Sequence, residues 1–114
     1  VRALEITTSV EDPAVARAIA EALLASKHAA CVKLVGRACS RYWWQGTIER
    51  ADEEIVLALT TRAHADAVRT LIEDLHPYEV PEIVARDIEV LEPSYASWLR
   101  ESLGDEEDVT ASDR

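Results

Sequence analysis

Two strand-like runs meet across Gln45-Gly46, and no other feature restricts the fold of this chain as much. The first starts at His28 as HAACVKLVG, bends at Gly36 and continues through CSRYWW to Trp44. The second returns from Thr47 and ends in IVLALTT, Ile55 to Thr61. Two residues between strands permit only an antiparallel hairpin, and a glycine at the second position suits the tight turn. Such a hairpin is too long for a small domain. At ~3.3 Å per residue, fourteen residues reach ~46 Å, well past the core of a chain this size. Its tip, YWWQG, is aromatic, and left bare it invites edge-to-edge aggregation. The expected resolution is self-association, with hairpins pairing between subunits. The alternative is a hairpin folded back on its own sheet, helped by a bulge or kink at the acidic patch ADEE, Ala51 to Glu54.

The flanking segments complete a pattern. Ala3 to Thr8 alternates Leu4 and Ile6 with polar neighbours and reads as a strand. Asp12 followed by Pro13 is a helix start, and Val15, Ile19 and Leu23 form the buried stripe of a helix running to about Lys27. Ala63 to Leu75 is a second amphipathic helix built on Val68, Leu71, Ile72 and Leu75, stopped by Pro77. Ile83 to Val90 is a fourth strand, and Pro93 to Leu103 is a short helix closed by Gly104. The order β-α-β-β-α-β then a helix predicts an α+β fold: a ferredoxin-like split βαβ sandwich with an extended β-hairpin and a C-terminal helix. Residues 1–104 form one domain, and 105–114 form an acidic tail expected to be disordered.

Charge and composition exclude several functions. Net charge is −10, and the tail after Gly104 supplies −4 of it through five acids and one arginine. Nucleic acid and anionic membranes are therefore unsuitable partners, and cations are suitable ones. No apolar run approaches the ~18 residues of a bilayer span. The start, VRALEITTSV, has no basic region or apolar core of a secretory leader, and a chain without methionine does not begin at its initiator. Three glycines cannot build a phosphate cradle, and no G-x-S-x-G occurs. On one regular strand, Cys31 and Cys39 would share a face at ~26 Å separation, too far for a disulfide. Both are read as reduced thiols of a cytoplasmic protein.

The segment HPYEVPEI, His76 to Ile83, is the densest cluster of polar chemistry. Two prolines and Tyr78 are explained by a rigid connector; His76, Glu79 and Glu82 are not. His76 ends a helix, where a protonated imidazole would meet the negative pole. Cys31, Cys39, His76 and Glu79 are the candidate metal ligands, since copper takes thiolate and imidazole and harder cations take carboxylate. His64 is expected to be a solvent-exposed residue near a helix start. No ligand spacing is diagnostic. Tyr42, Trp43, Trp44, Tyr78, Glu82, Tyr95 and Trp98 are assigned to a subunit cleft or interface, where tyrosine and tryptophan are favoured.

AACV, SRYWWQG, HPYEVPEI and YASWL, from Ala29, Ser40, His76 and Tyr95 respectively, occur in an order and spacing that resemble the CutA family of divalent-cation tolerance proteins. The resemblance spans about Leu4 to Leu103. It implies a ferredoxin-like homotrimer built through the hairpins, cytoplasmic, linked to copper or another divalent cation, with no cofactor required and no catalysis. It also implies a likeness to the trimeric PII signalling proteins, so the alternative reading is a module that binds a small metabolite or protein partner in its subunit clefts. A third reading, an enzyme using His76, Glu79 and Tyr78 in such a cleft, requires a substrate. The chain departs from the family pattern at His28, where leucine is usual, at Thr60-Thr61, where a lysine-threonine pair is usual, and at Cys39.

Overall fold

The computed structural model describes residues 1–105, so the tail beyond Asp105 lies outside the described residues. Eight elements follow one another: β1 (Arg2–Val10), α1 (Pro13–Ala25), β2 (Cys31–Trp44), β3 (Thr47–Thr60), a 3₁₀ turn (Arg62–His64), α2 (Ala65–Leu75), β4 (Val84–Glu89) and α3 (Pro93–Leu103). The strands form one sheet in the order β2-β3-β1-β4, and every neighbouring pair is antiparallel. Each helical crossover therefore skips one strand, which is the split βαβ arrangement of the ferredoxin-like fold.

Local chemistry accounts for the helix limits. The Asp12 carboxylate accepts from the Ala14 amide at 2.9 Å, and Pro13 occupies the first turn of α1. The helix ends through Lys27, whose φ of 63° is left-handed, with the His28 and Ala29 amides folding back to the Leu23 carbonyl. Gly104 ends α3 in the same way at φ 74°, and the Asp105 amide bonds the Arg100 carbonyl. The expected second helix starts as a 3₁₀ turn and becomes α-helical at Ala65.

The alternation of β1 divides the core. Leu4, Ile6 and Val10 pack with Ile19 and Leu23 of α1, Val56 and Ala58 of β3, and Val68 and Ile72 of α2. Ala3, on the other face, packs with Leu99 and Leu103 of α3, against Ala30, Leu59 and Ile88. Each large aliphatic side chain buried this way contributes about 1.5–3 kcal/mol. α3 covers only one end of its face, and the rest of that face lies open.

The hairpin is elongated, not folded back. β1 pairs with β3 from Thr60 only as far as Glu54, so among the described residues the ribbon beyond it pairs only with itself. The molecule measures 49 × 25 × 22 Å as a result. The turn has positive φ at both central residues, Gln45 at 51° and Gly46 at 85°, the primed geometry that matches strand twist.

No kink falls at ADEE. β3 is continuous from Thr47 to Thr60, because each acid there has a partner. Asp52 lies 3.6 Å from Arg50, Glu54 lies 3.5 Å from Arg37, and Glu53 accepts from Tyr78. The irregularity lies across the ribbon instead, where Leu34 opposes Val56 and Gly36 opposes Ile55, leaving Val35 unpaired in a bulge at Gly36, whose φ is 113°. One extra residue inverts the alternation, so Cys31 and Cys39 do not share a face as expected. Cys31 stands opposite Leu59 and Cys39 opposite Asp52, and these two partners point to opposite sides of β3.

Candidate functional site

The proline connector between α2 and β4 lies against the base of the ribbon, and a groove of about 840 Å³ opens between them. One wall is Ser40, Arg41, Tyr42, Trp43 and Trp44 of β2; the other is Tyr78 to Glu82, with Ser9, Glu11 and Glu53 at the floor. Antiparallel pairing sets the first wall. Ala38, Ser40, Tyr42 and Trp44 share the face of Glu53 and Ala51, while Trp43, opposite Ile48, points to the other side.

His76 anchors the connector from beneath. It is buried, and its Nε2 lies 2.8 Å from the Ser9 carbonyl while its Nδ1 lies 3.2 Å from the Tyr78 amide. A carbonyl only accepts and an amide only donates. Only the neutral Nε2–H tautomer satisfies both. The charge–dipole role expected for a protonated His76 at the end of α2 is therefore not how this ring is used: its two nitrogens hold the connector to β1. Its edge also meets the Tyr78 ring, with centroids 4.5 Å apart.

Tyr78 is the central polar group. Its hydroxyl donates to Glu53 Oε2 at 2.7 Å and accepts from the Glu11 amide at 3.1 Å. Burial first, and then the Glu53 carboxylate, hold the phenol well above its ordinary range. Glu53 itself is only 6% exposed, so the phenol is a donor it depends on. Alongside, the Ser9 hydroxyl donates to Glu82 at 3.1 Å. Glu11, Glu53, Glu79 and Glu82 thus converge on a groove whose far wall is aromatic, a chemistry suited to cations.

The remaining predicted residues lie elsewhere. Cys31 and Tyr95 line a second hollow on the open sheet face with Glu5, Lys33, Leu57 and Ile88. Trp98 packs on Tyr95 at 5.1 Å between ring centroids, outside both hollows. Cys39 is exposed on the reverse of the ribbon, where Arg50 Nε donates to its sulfur at 3.0 Å and lowers the thiol's pKa. Cys31, Cys39, His76 and Glu79 therefore do not meet within one chain, and among the described residues no three His, Cys, Asp or Glu side chains are close enough to hold a metal ion. His64, expected to be exposed, is half-buried and bonded to both His28 and Asp105. Among groove residues, Glu53, Ser9 and Glu11 escaped the sequence reading. The only signal for Glu53 was an acid inside an otherwise alternating strand.

These features define a ferredoxin-like α+β protein whose overlong hairpin forms one wall of an acidic, aromatic-lined groove. The chain belongs to the CutA family: residues 4–102 match the family model described as CutA1 divalent ion tolerance protein. The divalent-cation tolerance protein CutA of Thermus thermophilus is 41% identical over 100 residues, covering 87% of this chain and 96% of the relative. The crystal structure of CutA from Xylella fastidiosa superposes with a TM-score of 0.85 at 34% identity, covering 89% of this chain and 97% of that one. A protein from Archaeoglobus fulgidus, described as a periplasmic divalent cation tolerance protein CutA, superposes at 0.84 with 30% identity, covering 90% and 99%. No helix among the described residues is long and apolar enough to cross a membrane.

Proposed function

We propose that this chain is a homotrimeric, cytoplasmic divalent-cation tolerance protein that binds copper or a related divalent ion and catalyses no reaction. The observation that carries the reading is the ribbon and its groove. Beyond Glu54 both edges of the ribbon are unpaired among the described residues of a single chain. Its aromatic and aliphatic side chains are bare, with Trp43 72% and Ile48 62% exposed. Three ribbons closing around a rotation axis would pair those edges and cover that surface. The same closure would bring a second chain against the acidic groove, supplying ligands that one chain does not gather. Cys31, Cys39, His76 and Glu79 are the residues proposed to contribute, His76 only by giving up the bonds that hold the connector.

Native mass spectrometry of chelator-washed, reduced protein tests this, before and after addition of copper. A trimer that takes up copper in whole multiples of three, with uptake reduced by substitution of Cys31, Cys39, His76 or Glu79, is the expected result. A monomer refutes the assembly, and a trimer that takes up no copper refutes the metal.

A further inference from the structure

The groove does not account for a hydrogen-bonded pair of histidines at the opposite end of the sheet. His28 follows α1, His64 closes the 3₁₀ turn ahead of α2, and Asp105 follows α3. Three separate helix junctions therefore deliver three titratable side chains to one place. The Nδ1 atoms of the two histidines stand 3.0 Å apart, and His64 Nε2 lies 2.9 Å from Asp105 Oδ1. The surrounding backbone holds each in place. Thr60 Oγ1 donates to the His28 carbonyl at 2.6 Å, the His64 amide bonds the Thr61 carbonyl, and the Asp105 amide bonds the Arg100 carbonyl.

The hydrogen-bond roles follow from the carboxylate. Asp105 accepts, so His64 carries a proton on Nε2, and in the neutral ring its Nδ1 is a bare lone pair. That lone pair faces His28 Nδ1, which supplies the proton between them. A transfer of the His28 proton from Nδ1 to Nε2 leaves two Nδ1 lone pairs in proximity with no net loss of a proton. Two converging neutral imidazoles, one of them oriented through its other nitrogen by a carboxylate, are the arrangement metal sites use.

We propose that His28 and His64 form a two-imidazole site for a divalent ion of the copper(II) or nickel(II) class, with Asp105 as the positioning residue and water completing the coordination. Imidazole suits copper, nickel and zinc alike, and the spacing of the pair, where binding keeps it, favours the first two. With imidazole–metal bonds of about 2.0–2.1 Å, a nitrogen separation of 3.0 Å sets an N–metal–N angle of roughly 95°. This is near the right angle of tetragonal copper(II) and nickel(II) and well short of the tetrahedral angle of about 109° that zinc takes. Each ring turns by roughly 40° from its hydrogen-bonded pose to aim its lone pair at a shared ion. The site is separate from the groove and needs no second chain.

The test uses the full chain with Cys31→Ser and Cys39→Ser, washed with chelator, so that thiols contribute nothing. Copper(II) is titrated calorimetrically and the bound ion is read by electron paramagnetic resonance. The expected result is one copper(II) per chain with coupling to two imidazole nitrogens. Either His28→Ala or His64→Ala should weaken binding at least tenfold. Asp105→Asn, at a partly exposed position, should leave the fold intact by circular dichroism and weaken binding about 10–100-fold. Absence of binding in the thiol-free chain overturns the proposal, as does binding unchanged by all three substitutions. Binding that responds to both histidines and not to Asp105 overturns the positioning role. A thiol-free chain that is monomeric yet binds through His28 and His64 would refute the trimer and leave this site standing.

Discussion

Replacing Tyr78 with phenylalanine removes one oxygen and no packing volume, so it isolates the hydroxyl that joins the connector to the ribbon. Two bonds disappear: the 2.7 Å donation to Glu53 and the 3.1 Å bond from the Glu11 amide. The amide is on the exposed side, and water can replace its partner. Glu53, 6% exposed, loses a donor to a charged group, a loss of about 1.5–3 kcal/mol. With a urea slope of about 1–3 kcal/mol per M, Tyr78→Phe should lower the unfolding midpoint by roughly 1 M. The sharper test is the pairing. In the wild type, Glu53→Gln weakens a charge-assisted bond and destabilises. In the Tyr78→Phe background the same change removes a buried carboxylate that has lost its donor, so it should be neutral or stabilising. The pH profile carries the same signature. The folded phenol is raised above its ordinary value near 10.0. Its contribution is therefore complete below pH 10 and declines as the pH climbs beyond, because the unfolded chain releases its proton first. Tyr78→Phe should flatten that alkaline decline. If Glu53→Gln costs the same in both backgrounds, within about 0.3 kcal/mol, the two groups are not coupled and the account of the groove floor fails.

Other outcomes follow from single features. Lys27 holds a left-handed φ of 63° that glycine adopts without strain, so Lys27→Gly should stabilise by about 0.5–1 kcal/mol in thermal or urea melts. Arg50 lowers the Cys39 pKa below the ordinary 9.0, so thiolate persists to lower pH; in a Cys31→Ser background, Arg50→Gln should slow iodoacetamide labelling at pH 7.5 roughly two- to fivefold. Trp44→Asp puts a charge at the ribbon tip, and sedimentation should show the proposed trimer dissociating at a protein concentration at least about tenfold higher than the wild type.

The strand and helix order was legible because each segment carries its own period: Leu4 and Ile6 alternate, Val15, Ile19 and Leu23 recur every four residues, and Pro13, Pro77 and Gly104 stand at boundaries. The connector was legible as a rigid element from its prolines. What it touches was not. Whether Glu53 meets solvent or a phenol depends on a contact across 25 positions, and the 67 positions between His76 and Ser9 hide the acceptor that sets the His76 tautomer. ADEE looked like an interruption because four residues in sequence show three charges and none of their partners. His64 looked exposed for the same reason: the residues that half-bury it lie 36 and 41 positions away.

The bulge at Val35 takes up one surplus residue of β2. Everything from Gly36 to the turn is assigned its side of the sheet by its partner on β3. Deleting that residue would make Leu34 and Gly36 consecutive partners of Val56 and Ile55, so the ribbon would become regular with its faces unchanged: Trp44, Tyr42 and Ser40 would keep the groove side, and Trp43, Arg41 and Cys39 the reverse. Lineages built on this hairpin can therefore gain or lose one residue at this point, by a three-nucleotide insertion or deletion, and still present the same outer surface.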